Sequence, residues 1–339
     1  MKKILIIRFS SLGDIIMATA LPRVLRAKYP DAQIDMVVRD DFFELIKNNP
    51  HINNKISFPK KDGLKGLIKF TKKIREEKYD LIIDAHKKIR SIFITSFSGS
   101  KILKINKRTL LRWLLIYLKI NFFKNKIDYQ IEEYIKPLKK LNVLYDHKGT
   151  ELFIPDDIKN KINQLLQKTI PNFKLNKKII GFVPSAHWAG KRWPYSKFDE
   201  LAKLLHQDFD IVIVGGSKDD FCNQIANKYP NVYSFAGKAS LLESAYILSE
   251  CNLVVANDTG MMHVAEAVGT DVITIIGPTS VEFACYPHRI KSKTVELNMW
   301  CRPCSTNGSG MCIRFGKRPC LNNISSNDVY NEVLKYFRG

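Results

Sequence analysis

Short apolar runs rich in β-branched residues recur along the chain, and most end in an abrupt polar turn that leads into a helical period. Lys3-Ile4-Leu5-Ile6-Ile7-Arg8 reads as a buried strand of the parallel type, followed by the loop Phe9 to Gly13 and a helix from about Asp14 to Lys28. Residues 33–38 and 79–84 predict two more strands, the latter preceded by a basic helix near Leu64 to Lys78. Residues 128–144 read as helical and 145–155 as a polar link. The pattern then restarts. Strands are expected at 178–183, 211–215, near Val232, at 253–257 and at 272–276, with helices at 196–206, 219–228, 241–248 and directly after Asn257. Alternation of this kind implies right-handed βαβ units and parallel sheets. The expected fold class is α/β: two doubly wound domains, 1–150 and 151–339, facing each other across a cleft at their strand carboxyl ends. The last helix is free in this reading to pack back on the first domain.

Composition narrows this picture. The chain has 339 residues, 45% hydrophobic and 26% charged, which suits a globular protein with room for two cores. The first apolar block, Ile4 to Ile7, is too short for a secretory signal, and the most apolar window, Leu110 to Ile120, is interrupted by Arg112 and Lys119. A cytoplasmic protein is therefore expected. The net charge of +21 is uneven: residues 1–150 hold 32 Lys and Arg against 15 Asp and Glu, and the remainder 22 against 18. A basic first half points to an anionic partner, whether a phosphorylated substrate, an anionic membrane surface or nucleic acid, beside the plainer reading of a Lys-rich compositional bias. Arg108 to Phe123, with Lys124, interleaves cations with aromatic and aliphatic residues, which suits an interfacial helix or a buried helix with snorkelling cations.

Candidate chemistry follows four of the strands. Ser10-Ser11-Leu12-Gly13-Asp14 places a carboxylate at a helix start, either a general base or an acid complementing the helix dipole. Ser185-Ala186-His187-Trp188-Ala189-Gly190-Lys191-Arg192-Trp193-Pro194 carries two cations suited to a diphosphate, unless they are simply solvated. Gly215-Gly216-Ser217-Lys218-Asp219-Asp220 is a glycine-rich strand exit with an acid for ribose hydroxyls, or with two first-turn acids. Most informative is Asn257-Asp258-Thr259-Gly260-Met261-Met262-His263. With Asp258 as N-cap, Thr259, Gly260 and His263 share a face at a helix start whose unpaired N–H groups suit a phosphate, beside the plainer reading of a capped helix of an α/β domain with a surface His. Seven cysteines include the late run Cys301, Cys304, Cys312 and Cys320, spaced C-x2-C-x7-C-x7-C. This run reads as reduced structural thiols ahead of a metal site, since it lacks a second close pair.

Together and in this order, these pieces resemble the bacterial lipopolysaccharide heptosyltransferases of glycosyltransferase family 9. The resemblance rests on Arg8 to Asp14, the Lys191-Arg192-Trp193-Pro194 loop, Gly216-Ser217, Asn257 to Gly260 with His263, Gly277-Pro278-Thr279 and Cys301-Arg302-Pro303-Cys304. It implies a GT-B fold of two Rossmann-like domains, the acceptor on the first and the nucleotide-sugar donor on the second. It also implies metal-independent, inverting transfer of heptose from ADP-heptose to the lipid A–Kdo inner core, at the cytoplasmic leaflet of the inner membrane. No cofactor and no nucleic acid enter this reading. Carried over by position, Asp14 becomes the base, with Ser10, Ser11 and Gly13 near the acceptor. Lys191 becomes the cation on the donor diphosphate and Asp220 a ribose ligand. Thr259 and Gly260 supply the phosphate-binding helix start, and Asp258 and His263 contact donor sugar or phosphate. Some members carry Thr-Thr before the Lys; Ser185-Ala186-His187 stands there here, which raises Ser185 and His187 as substitutes. Competing readings are a GT-B transferase with another nucleotide sugar and a GT-B-like nucleotide-sugar epimerase.

Overall fold

The apolar runs form the strands of two sheets, all of whose pairings are parallel. The computed structural model describes residues 1–59, 61–123, 129–173, 178–314 and 316–338. Contacts divide the chain into two units, Met1–Lys107 with Asp128–Phe153, and Arg108–Ile127 with Ile154–Gly339. The units are therefore not two contiguous halves, because a segment of the basic first half belongs with the second sheet.

In the first unit, β1 (Lys3–Ile7), β2 (Gln33–Arg39), β3 (Lys55–Phe58), β4 (Leu81–Asp84) and β5 (Lys101–Lys104) lie in the order β3-β2-β1-β4-β5. Ile4 to Ile7 are fully buried, as a central strand covered by helices on both faces requires. The order of strand connection reverses between β1 and β4, and in doubly wound sheets the crevice outside the carboxyl ends of such strands takes the ligand. The expected helix from Asp14 to Lys28 is two helices, Leu12–Ala18 and Ala20–Lys28. Pro22 offers no N–H to the carbonyl of Ala18, so the ladder breaks at Thr19, whose hydroxyl donates to the Ile16 carbonyl at 2.6 Å. The expected helix over 128–144 is Gln130–Ile135 continued as a 3-10 stretch to Leu141; residue 128 lies outside the described residues.

The second unit arranges β6 (Lys178–Val183), β7 (Phe209–Ile213), β8 (Val232–Ser234), β9 (Leu253–Asn257), β10 (Val272–Ile276) and β11 (Lys293–Glu296) as β11-β10-β9-β6-β7-β8. Its reversal lies between β6 and β9. Alternation along β6 builds two cores: Ile180 and Phe182 pack with Trp193, Phe198 and Leu201 on one face, Ile179 and Val183 with Ile162, Leu166 and Leu248 on the other. Each such buried side chain contributes roughly 1.5–3 kcal/mol of burial. The last helix, Ser326–Arg338, buries Val329 and Val333 against the helix Tyr195–Leu205 and the strands β10 and β11, so it packs on the second unit. Residues 109–118 form a short α-helix and a π turn that bury Leu115 and Ile116 beside Phe283, while Leu110, Trp113, Tyr117 and Leu118 stay exposed. Arg112 donates to the Phe283 carbonyl and Lys119 to those of Cys301 and Pro303; Lys124 lies outside the described residues. Among the described residues no helix is long and apolar enough to cross a membrane.

Candidate active site

At the first unit's reversal point stands Asp14, in the first turn of the helix Leu12–Ala18. Its carboxylate is held by four donors: the Arg8 guanidinium at 2.6 Å, the Ser11 hydroxyl at 2.8 Å, the Ser11 N–H at 3.2 Å and the Tyr134 hydroxyl at 3.1 Å. Burial alone would raise its pKa, but the Arg8 charge and the Ser11 hydrogen bonds outweigh it and hold the group well below the usual carboxylate range. Of the three residues expected beside the acceptor, Ser11 spends its hydroxyl on Asp14, Gly13 is buried inside the helix, and Ser10 is half-buried in the loop. The carboxyl end of β4 adds His86, which packs edge-on against Phe9 at 5.2 Å. Burial and then the charges of Arg8, Lys107 and Lys88 push its imidazole down to about 3, so it is neutral. Burial and the same Arg8 and Lys88 charges bring Lys107 down to about 8. The sequence signal for His86 was available, since it stands just past the carboxyl end of the predicted strand β4; for Lys107 it was not, because β5 is a short edge strand.

The second unit's reversal point opens a cleft of about 360 Å³, walled by the exits of β6, β7 and β9. Ser185, His187 and Arg192 come from the loop after β6, Gly215, Gly216 and Asp219 from the turn after β7, and Thr259 and Met261 from the helix start after β9. Among the described residues the buried Ser185 hydroxyl has no hydrogen-bond partner, so its donor and acceptor capacity is unspent. His187 is exposed and stacks edge-on against Trp188 at 4.9 Å, while the Arg192 side chain donates to the Ala186 carbonyl at 2.7 Å. Asn257, fully buried at the end of β9, accepts from Trp193 N–H at 3.0 Å and donates to the Pro184 carbonyl at 2.6 Å, clamping both ends of the cationic loop.

The helix after β9 departs from expectation. It runs Gly260–Ala267, and its N-cap position is Thr259 in extended backbone, not Asp258. Asp258 instead accepts from Lys191 Nζ at 2.7 Å and from the Thr279 hydroxyl at 2.8 Å. A charge-assisted pair outcompetes capping for a carboxylate that both can reach. His263 is buried within the helix. Gly260 opens the helix, whose first N–H groups lack intrahelical acceptors by construction. Of the two acids after β7, Asp219 lines the cleft and accepts from Gly216 N–H at 2.7 Å, whereas Asp220 is the exposed N-cap residue of the helix Phe221–Ala226. The seven cysteines are all free thiols, and among the described residues no three potential ligands are arranged to hold a metal ion.

A family model described as glycosyltransferase family 9 (heptosyltransferase) matches residues 67–312. The chain belongs to that family. It is a glycosyltransferase, and its two doubly wound units are those of a GT-B fold. Lipopolysaccharide heptosyltransferase 2 of Escherichia coli K12 is 29% identical over 319 residues, 87% of this chain and 88% of that protein. Lipooligosaccharide heptosyltransferase 2 of Haemophilus influenzae is 28% identical over 300 residues, 83% of this chain and 84% of that protein. Among solved structures, the family 9 glycosyltransferase of Veillonella parvula superposes with a TM-score of 0.80 at 22% identity, covering 99% of this chain and 97% of that one. The second unit of this glycosyltransferase combines, among the described residues, an unpaired hydroxyl, a helix start and a lysine paired with one carboxylate.

Proposed function

We propose that this enzyme transfers heptose from ADP-heptose to the lipid A–Kdo inner core of lipopolysaccharide, with inversion and without a metal ion. The observation that carries the reading is the Lys191–Asp258 pair beside the helix start after β9. A leaving diphosphate needs positive charge more than it needs a proton. An ammonium has three donors and Asp258 takes one, so Lys191 can also serve phosphate oxygens, joined by the first N–H groups of the helix. Ser185, His187 and Thr259 then bear on phosphate or sugar, Asp219 takes the ribose role first assigned to Asp220, and His263 supports the helix from within.

Glycosyl transfer passes through an oxocarbenium-like transition state, as glycoside hydrolysis does. In that state the attacking hydroxyl becomes acidic as its bond to the sugar forms, so even a weak base suffices. Asp14 is such a base: its low pKa keeps it ionised throughout the folded range, and Ser11 and Tyr134 fix its orientation. The basic first half provides a partner for an anionic acceptor. The exposed Trp113 and Tyr117, with Leu110 and Leu118, support contact with the cytoplasmic leaflet of the inner membrane.

The test is Asp14→Asn, assayed with ADP-heptose and a lipid A–Kdo acceptor in the presence of EDTA, beside ADP binding by calorimetry. Transfer by the native enzyme should survive chelation. The variant should lose at least ~100-fold in rate while ADP binds with unchanged affinity. Near-normal turnover would remove Asp14 from the base role, and preference for a UDP- or GDP-sugar would replace the donor.

A further inference from the structure

The cysteine-bearing stretch 301–314, with Arg318 beyond it, has no part in the reaction described above, yet it packs against Lys191 and reaches Asp258 through Thr279. On the lysine side the approach is through glycines. Gly308 has φ +79°, a left-handed conformation, and a Cβ built on it would lie 2.7 Å from Lys191 Cγ. A Cβ on Gly190 would collide with the Gly308 carbonyl oxygen. Arg318 donates to the Ala189 carbonyl, in the turn that presents Lys191. On the aspartate side the contacts are hydrogen bonds. Cys304 N–H donates to the Pro278 carbonyl at 3.0 Å and Arg302 to the Thr279 carbonyl at 3.0 Å. The Thr279 hydroxyl then donates to the Asp258 oxygen that also receives Lys191.

We propose that this segment is a brace that positions Lys191 for the donor diphosphate, with Gly308, Gly190 and Arg318 as positioning residues. The inference rests on the donor reading of Lys191 given above. Two features make the segment stiff enough for the role. Its first turn is gripped by Lys119 Nζ, which donates to the carbonyls of Cys301 and Pro303 at 2.9 and 2.7 Å. At Gly308 itself the N–H donates to the Ser305 hydroxyl at 2.8 Å. Cys320, just past the segment, is buried in the core with Leu321 and Ile324, and burial pushes its thiol up to about 11, so it packs there as a small apolar group. A lysine stem has four rotatable bonds and loses much of its freedom when ordered, so contacts that preset it lower the entropy lost when the phosphate binds.

The experiment is a double-mutant cycle read by ADP binding in calorimetry, with a thermal scan of every variant. Gly308→Ala should weaken ADP about tenfold or more, because its methyl displaces the Lys191 stem. Gly310, two residues on in the same segment, has open space around its Cβ position, and Gly310→Ala should bind ADP as the native enzyme does. In a Lys191→Ala background the stem is gone, and Gly308→Ala should then cost less than twofold. Arg318→Met adds no bulk at a half-buried position and covers the case in which Gly308→Ala fails to fold; it should weaken ADP about threefold, and this effect too should vanish without Lys191. Equal losses in both backgrounds, or a Gly308→Ala variant that binds ADP normally while Lys191→Ala does not, would overturn the brace. If Lys191→Ala alone binds ADP normally, the donor reading of Lys191 falls first and takes the brace with it.

Discussion

Asn257→Ala tests how the loop after β6 is held. The native side chain is fully buried and its amide does two jobs at once, accepting from Trp193 N–H at 3.0 Å and donating to the Pro184 carbonyl at 2.6 Å. Removing it orphans two buried backbone groups, each worth about 1–3 kcal/mol when left unsatisfied. A water entering the space would recover part of this, so the loss should be about 2–5 kcal/mol. In a unit of this size each kcal/mol moves the midpoint by roughly 2–4 °C, so calorimetry should find the second unit's transition lowered by about 5–15 °C. The same clamp spans the loop that carries Ser185, His187 and Lys191, and so ADP affinity should fall as well, because the loop must be ordered at binding. Asn257→Asp is the informative companion: it keeps the acceptor for Trp193 but turns a carboxyl oxygen toward the Pro184 carbonyl. That variant should recover part of the stability at low pH, where the carboxyl is protonated and donates, and lose it as the pH rises. An Asn257→Ala protein within about 0.5 kcal/mol of the native one, the range of an indifferent surface change, would refute the argument.

Two further outcomes follow from the first unit. Arg8→Met removes the cation that depresses Asp14, so the carboxyl pKa should rise and the acid limb of the kcat/KM profile should move to higher pH; an unmoved limb would show that another group sets it. His86, neutral and pushed down to about 3, should titrate near 6.5 once unfolded. The unfolded chain then binds the extra proton, so the stability this site confers is complete above about pH 6.5 and is lost as pH falls toward 3, by about 2 kcal/mol between pH 7 and 5. His86→Gln should flatten that slope, which urea titrations at the two pH values would measure.

How much of this was legible in the sequence depended on where each residue stood relative to the sheets. β1, β6, β9 and β10 were plain, because a strand covered on both faces must be continuously apolar and little else produces such a run. β3, β5 and β11 were not. They are sheet edges, four residues long, and β5 and β11 are tipped with Lys101, Lys104, Lys293 and Glu296, the polarity that protects an edge and erases the strand signal. The interruption at Thr19 was visible in principle, since Pro22 was in plain sight.

For the site, the sequence located its loops but not its pairings. A strand followed by an abrupt polar turn marked Asp14, Ser185 to Lys191 and Asp258 to Gly260, because chemistry at strand carboxyl ends is a property of the fold. What each side chain does there depends on partners brought in by folding. Asp258 had the composition of an N-cap and became the counter-ion of Lys191 because β6 and β9 are neighbours in the sheet. Asp219 and Asp220 were indistinguishable until the turn after β7 directed one toward the Gly216 N–H and left the other at a helix start. Tyr134 and Arg8 converge on Asp14 from a helix and from the end of β1, far apart from each other in the chain. Their convergence changes the chemistry assigned to that carboxylate. Read alone, Asp14 was an ordinary acid near an acceptor; held by four donors, it is a permanently ionised and oriented group, suited to a late proton transfer and poorly suited to an early one. A solvent isotope effect on kcat near unity, with a large effect of substitution at the sugar on the rate, is what that distinction requires.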